Sequence, residues 1–245
     1  MNRTEFRASF GKRGPVVLPV IHVLETDRTL ANIDILTELD APGCFLINHD
    51  FGVEQFLRIL RDVRAACPTL WMGVNFLDVT GRHAFPTLAQ LERDGCRIDA
   101  YWADDARIDE RTDAQTEAEE IADARVGWSG LYFGGTAFKK QRPVAEADYE
   151  RAATLACEWM DVVCTSGQAT GVEAEDQKIS TFRTAIGDHA LALASGITPE
   201  NAHRYREVDA FMVATGINHD GNFYDIEPGR LKRLLAVAEQ LGDVT

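Results

Sequence analysis

Eight short runs of apolar, mostly β-branched or aromatic residues recur along the whole chain, and this repeat limits its folds more than any other feature. The runs are Val16–Val23, Gly43–Asn48, Leu70–Phe76, Ile98–Trp102, Gly130–Phe133, Asp161–Thr165, Ala190–Ala194 and Ala210–Val213. Their starts fall roughly 20 to 32 residues apart, room for one strand, one helix and two loops. Each run is continuous instead of alternating, as parallel strands are when helices cover one face and the sheet closes on itself at the other. Helical patterns lie between the runs. Val53, Phe56, Leu57, Leu60 and Val63 make an i, i+3, i+4, i+7 stripe, and Leu231, Leu234, Leu235 and Ala238 form the apolar face of a last helix. Thr198-Pro199-Glu200 predicts a helix start, with a capping hydroxyl, a proline at the first helical position and an early carboxylate. The acidic stretch Thr112–Asp123 predicts a solvated helix between the fourth and fifth strands.

Strict alternation leaves two main architectures, a closed barrel or a doubly wound open sheet. Eight units in 245 residues favour closure, and no Gly-x-Gly-x-x-Gly follows the first strand to support a dinucleotide fold. With no linker or composition break in view, the expectation is a single (β/α)₈ TIM barrel over residues 1–245, with residues 1–14 as an N-terminal extension.

The formal net charge of −14 repels phosphate backbones and anionic lipid, which argues against nucleic acid or a membrane surface as a partner. A small anionic metabolite is still compatible, since local donors override a distant field beyond a Debye length of roughly 8–10 Å. Cys44, Cys67, Cys96, Cys157 and Cys164 are odd in number and scattered, the pattern of buried thiols in a reducing compartment. No apolar segment follows the basic residues among Met1–Arg13, and Val16–Leu24, interrupted by His22, falls short of the ~20 residues a span needs. A cytoplasmic protein is expected, and a homo-oligomer on general frequency.

In a (β/α)₈ barrel the reacting groups lie after the carboxyl ends of the strands. This rule selects His22, Asn48-His49-Asp50, Asn75 and Asp78, Asp104-Asp105, Gly134-Gly135-Thr136 with Lys139-Lys140, Thr165-Ser166-Gly167 with Thr170-Gly171, Ser195-Gly196, and Thr215-Gly216. The last three strands each end in a small hydroxyl followed by glycine. Glycine lets backbone approach a ligand closely, and exposed N–H groups suit phosphate oxygens. Ser166, Gly167, Thr170, Ser195, Gly196, Thr215 and Gly216 are therefore the candidate phosphate binders, although tight loop starts favour the same residues. His49, Asp50, Asp104 and His22 are the candidate acids and bases, with the bulk of Trp102 placed to desolvate a following carboxylate. Asp104 or Asp105 equally suits a loop hydrogen bond, and His22 a satisfied core histidine. Asn75 and Lys139 would orient the substrate. Lys139 and Lys140 look like loop residues, which suits an anion clamp or plain exposure better than imine chemistry. No cofactor is expected. A divalent metal at His22, His49, Asp50 and Asp104 is chemically allowed, but no dense motif such as His-x-His supports it. No Gly-x-Ser-x-Gly elbow is present for a hydrolase triad.

Three segments then carry a family pattern: Val162-Val163-Cys164-Thr165-Ser166-Gly167-Gln168-Ala169-Thr170-Gly171, Leu193-Ala194-Ser195-Gly196-Ile197-Thr198-Pro199-Glu200-Asn201 and Phe211-Met212-Val213-Ala214-Thr215-Gly216. With Asn48-His49-Asp50 and Met72-Gly73-Val74-Asn75, they give a chain that resembles the BtpA/SgcQ family. That resemblance implies a barrel related in fold to ribulose-phosphate-binding enzymes and near the phosphoribosylanthranilate isomerase-like group. The family takes its name from a protein needed for photosystem I accumulation. Here the last loop reads Gly216-Ile217-Asn218-His219-Asp220-Gly221 where a more basic, lysine-containing segment is expected. The segment Tyr132–Lys140 looks particular to a subgroup, and His22 stands where the isomerases carry a cysteine.

The function expected from these residues is an enzyme acting on a small phosphorylated, ribosyl-type metabolite. It would isomerise it, or cleave or transfer at the anomeric carbon, by acid–base catalysis. The alternatives are a non-catalytic assembly or stability factor of the BtpA type and a metal-dependent hydrolase.

Overall fold

The computed structural model describes residues 1–243. Eight strands, β1 (Val16–Val23), β2 (Cys44–Asn48), β3 (Met72–Asn75), β4 (Ala100–Ala103), β5 (Leu131–Gly135), β6 (Val162–Thr165), β7 (Ala190–Leu193) and β8 (Ala210–Val213), pair in parallel in chain order. β8 returns to β1, so the sheet is a closed (β/α)₈ barrel. The register runs Val20–Phe45–Gly73–Ala100–Leu131, resumes two residues on at Phe133–Val162–Ala190, resumes two further on at Ala192–Ala210, and meets β1 at Val16. These slips and the four residues from Val20 back to Val16 make a stagger of eight, at which eight strands leave an interior that side chains fill.

The strand period of two divides the apolar residues into two cores. Val16, Leu18, Val20, Phe45, Ile47, Ala100, Trp102, Phe133, Val162, Cys164, Ala192 and Met212 fill the barrel. Their sequence neighbours, among them Val17, Ile21, Leu46, Val74, Tyr101 and Val163, face an outer ring of helices. The interior is unevenly filled, with the Phe45 ring in edge contact with those of Trp102 and Phe133 and alanines on β7 and β8. Gly73 makes room for this, because a Cβ there would stand 2.3 Å from the Phe45 ring.

The ring comprises α2 (Thr26–Glu38), α3 (Val53–Ala66), α4 (Gly81–Arg93), α5 (Thr116–Arg125), α6 (Tyr149–Ala156), α7 (Asp176–Ile186) and α8 (Pro228–Asp243). α3 buries Phe56, Leu60 and Val63 of the expected stripe and Ile59 besides, while Val53 and Leu57 are only partly buried. α5 begins four residues later than the acidic stretch predicts. There the Gln115 side chain is committed to a turn, donating to the carbonyls of Asp109 and Thr112 and accepting the Asp109 N–H.

One further expectation needs correction. Thr198 does cap, its hydroxyl accepting the N–H groups of Glu200 and Asn201, yet only a 3₁₀ turn (Ala202–Tyr205) follows. The Asn201 side chain turns back to the Gly196 carbonyl and to Glu173, which fastens the turn to the neighbouring loop instead of extending it. The N-terminal extension, residues 1–14, carries a helix of its own. A capping box of Asn2 and Glu5 starts a helix, α1 (Arg3–Ser9), that joins the amino-terminal end of the barrel to the rest. Its Phe6 is fully buried in the barrel core, edge-on to Phe133 at 5.9 Å. Among the described residues no helix is long and apolar enough to cross a membrane.

Candidate active site

Strand parity decides which polar residues reach the barrel mouth. Continuing inward from Val20, Ile47, Gly73 and Trp102, the alternation delivers His22, His49, Asn75 and Asp104 to the carboxyl-terminal end. His22, His49 and Asp104 line a cavity of about 610 Å³, counting its open mouth, whose apolar floor is Val20, Ile47, Trp102 and Met212. Lys139, Thr170, Ser195, Gly196 and Thr215 line its walls, and Phe223 stands over one side.

Asp104 accepts a hydrogen bond from Nδ2 of the buried Asn75 at 3.1 Å. Burial pushes its carboxyl up to about 6, against the opposing pull of Lys139 and of the Asn75 bond. Asp105, the next residue, points away and accepts the Arg107 N–H, so the loop role falls to it alone. Lys139 lies partly buried in the mouth, correcting the expectation of an exposed loop amine. Its Nζ donates to the Ala194 carbonyl at 2.7 Å, and burial, aided by Lys140, brings it down to about 8. Lys140 is exposed at the rim.

His22 is buried, its ring stacked on Phe223 at 3.7 Å and 4.9 Å from that of His49. Burial foremost, then the neighbouring His49, drives its imidazole down to about 3, so it is neutral at physiological pH. His49 is more exposed and is shifted down in the same direction, again chiefly by burial. Asp50 is exposed and accepts a bond from the Tyr224 hydroxyl at 3.2 Å; adjacency to His49 has not brought it into the cavity wall.

The hydroxyl–glycine segments divide by use. The Ser166 hydroxyl donates to the Gly167 carbonyl and accepts the Lys139 N–H. The Ser195 hydroxyl donates to the Val172 carbonyl and accepts the Gly167 N–H. Below them the buried Lys178 donates to the carbonyls of Ala137 and Ser166. Ser166, Gly167 and Ser195 therefore knit the loops after β5, β6 and β7 together and leave a ligand little to bind. Gly196 is needed for the same packing. At φ +67° a Cβ there would meet Glu173 and Val172 backbone at 2.5 Å. Gly196→Ala is expected to lower Tm by at least ~2–4 °C, from a cost above ~1 kcal/mol. A melting curve within a degree of wild type would show that these loops yield freely. In contrast, the backbone N–H groups of Gly196, Thr215 and Gly216 have no protein partner among the described residues, and Thr170 and Thr215 are exposed at the rim.

Several participants escaped sequence reasoning. Phe223 sits in a loop with no periodicity to mark it, and Trp102 was legible as a desolvating neighbour but not as a donor. Lys178 lies in a stretch where no sequence pattern singles it out. Among the described residues no three His, Cys, Asp or Glu side chains are grouped to hold a metal ion.

No protein-family profile matches the sequence, and no curated protein aligns with it. Solved structures do match. One described as native KDPGal superimposes with a TM-score of 0.65 at 13% identity, covering 93% of this chain and 96% of the other. N-(5′-phosphoribosyl)anthranilate isomerase from Pyrococcus furiosus gives 0.64 at 11% identity, covering 92% and 99%. Phosphoribosyl anthranilate isomerase from Thermus thermophilus gives 0.60 at 13%, covering 92% and 98%. At these identities the likeness is one of fold: the chain is a closed (β/α)₈ barrel of the kind those proteins share.

Proposed function

We propose that this protein is an enzyme that holds a small phosphorylated, ribosyl-type metabolite at the barrel mouth. There it isomerises the compound, or cleaves or transfers at its anomeric carbon, by acid–base catalysis. One observation carries the reading. His22 Nδ1 and Trp102 Nε1 are buried, belong to residues lining the cavity, and have no hydrogen-bond partner. An unsatisfied buried polar group costs ~1–3 kcal/mol, and a polar ligand in the cavity offsets that cost. Asp104, brought near neutrality by burial, is suited to give and take a proton there. The unpartnered amides of Gly196 and Thr215, with Thr170 beside them, suit phosphate oxygens at the rim. The BtpA/SgcQ resemblance in the loops after β6, β7 and β8, and likeness in fold to proteins described as phosphoribosylanthranilate isomerases, point to the same ligand class.

Thermal shift against sugar phosphates, each beside its unphosphorylated counterpart, tests this. A ligand at a hundred times its Kd stabilises by about 2.7 kcal/mol, a shift of several degrees. The shift should require the phosphate and disappear in Thr215→Asp, which places a negative charge at the exposed rim. Indifference to every phosphorylated compound would sink the proposal.

A further inference from the structure

We propose that Lys139 is a nucleophile that forms an imine with the open-chain carbonyl of the bound metabolite. The inference rests on the cavity's being the substrate site and adds the substrate's chemical class, an aldehyde or ketone. The chain uses arginine at 20 of its 25 basic positions, and no arginine lines the cavity. Of the five lysines, Lys12, Lys139, Lys140, Lys178 and Lys232, only Lys139 and Lys140 line it. Arginine grips phosphate better and stays charged, so the choice of lysine here calls for a property that arginine lacks, a nitrogen able to lose its proton and attack carbon.

Lys139 is partly buried and Lys178 buried, and they are differently occupied. The Lys178 ammonium is spent on two carbonyls. Lys139 Nζ donates to one, that of Ala194, and stands 5.3 Å from the centre of the Phe138 ring. Burial foremost favours its neutral form, with Lys140 adding to it and the Asp104 carboxylate opposing. The backbone is held too, since Ser166 accepts the Lys139 N–H and is itself bonded to Gly167, which is tied to Ser195. The hydroxyls that look from sequence like phosphate ligands thus position the nucleophile, and exposed Lys140 is left for the anion.

The step balances with Asp104 as proton carrier. The Nζ lone pair attacks the carbonyl carbon as the C=O π bond opens, and the oxygen takes one of the two Nζ protons, carried by the Asp104 carboxylate, to become hydroxyl. The nitrogen gives its other proton to the Asp104 carboxylate, which returns it to that hydroxyl as the C–O bond breaks. Water leaves and the C=N bond forms, with no oxidant or reductant needed.

Reductive trapping tests this on the full chain. Ribose 5-phosphate and glyceraldehyde 3-phosphate, each beside its unphosphorylated counterpart, are supplied with cyanoborohydride, and adducts are mapped by peptide mass. The expected result is one adduct, on Lys139, forming at least ten times faster than on Lys12 or Lys232, faster with the phosphate, and absent in folded Lys139→Arg. Labelling spread evenly over the lysines, or placed on Lys140, overturns the proposal. A sugar phosphate that raises Tm but leaves no adduct on Lys139 overturns the imine while the binding reading survives. If no sugar phosphate either stabilises or labels the protein, both fall.

Discussion

Asp209→Ala is expected to destabilise the protein by about 3–5 kcal/mol, the usual result of removing one member of a buried ion pair. Asp209 is fully buried immediately before β8. Its carboxylate meets Arg3 at 3.0 Å, Arg7 at 2.7 Å and Arg183 at 2.6 Å, and accepts the Leu191 N–H at 3.0 Å. One side chain thus fastens α1 and α7 to β7 and β8 at the amino-terminal end of the barrel. Burial already presses Arg7 and Arg183 below their ordinary range, and Asp209 is the largest opposing influence on each. Without it, three guanidinium groups face one another with carbonyl oxygens and the weaker influence of Glu207 on Arg183 to offset them. Asp209→Asn, which keeps an acceptor but loses the charge, should fall between alanine and wild type in urea unfolding. Equal midpoints for all three proteins would show that the cluster is neutral in the balance. Ligand binding by the folded fraction should be unchanged, because the carboxylate lies at the end of the barrel opposite the cavity.

Asp104→Asn is expected to act in opposite directions on activity and stability. Turnover of whichever sugar phosphate stabilises the wild type should fall by about 10²–10⁴-fold, the usual loss on removing a proton-transfer group. Stability should rise at neutral and alkaline pH. Burial raises the folded carboxyl from 3.8 to about 6, so between those values the native state holds more proton than the unfolded chain. Stability therefore drops as pH climbs through that window, and above it the charged form stays at a disadvantage. About two pH units at 1.36 kcal/mol each set an upper limit of ~3 kcal/mol. The open mouth and the lost attraction to Lys139 reduce this, leaving ~1–2 kcal/mol at pH 8. The gain should shrink to nothing below pH 4. Parallel Tm-against-pH curves for the two proteins would rule out the destabilised carboxylate.

These predictions draw on features of very different visibility in the sequence. The eight strands lie within two residues of the apolar runs, because a strand buried on both faces must be continuously apolar and eight of them leave few arrangements. His22, Asn75 and Asp104 were also legible, since strand parity and the carboxyl-end rule fix their direction. The burial of Lys139 was not. It depends on the loop after β5 folding against Ser166 and Lys178, which no local pattern encodes. The small hydroxyls drew attention as ligand binders, yet Ser166 and Ser195 bond to neighbouring loops, and which loops become neighbours is decided only by closure. The Asp209 cluster joins residues about 200 positions apart and left no local trace. Thr198-Pro199-Glu200 shows the reverse failure, a sound capping signal whose helix is cut short by a side chain's distant partner.

Barrel closure also sets the order in which the chain can be completed. β1 pairs with β8 from Val16 to Ala210, and the Arg3 N–H bonds the Asp188 carbonyl, so β1 waits until β8 has been made. At a ribosomal rate of about 5–20 residues per second, roughly 10–40 s separate the two. Through that interval the mostly apolar Val16–Val23 has an open edge, a template for pairing with another nascent chain. Yield in the cell should therefore depend on how well that edge is shielded during translation, and a circular permutant that begins at α2 would shorten the wait by delivering β8 and β1 together.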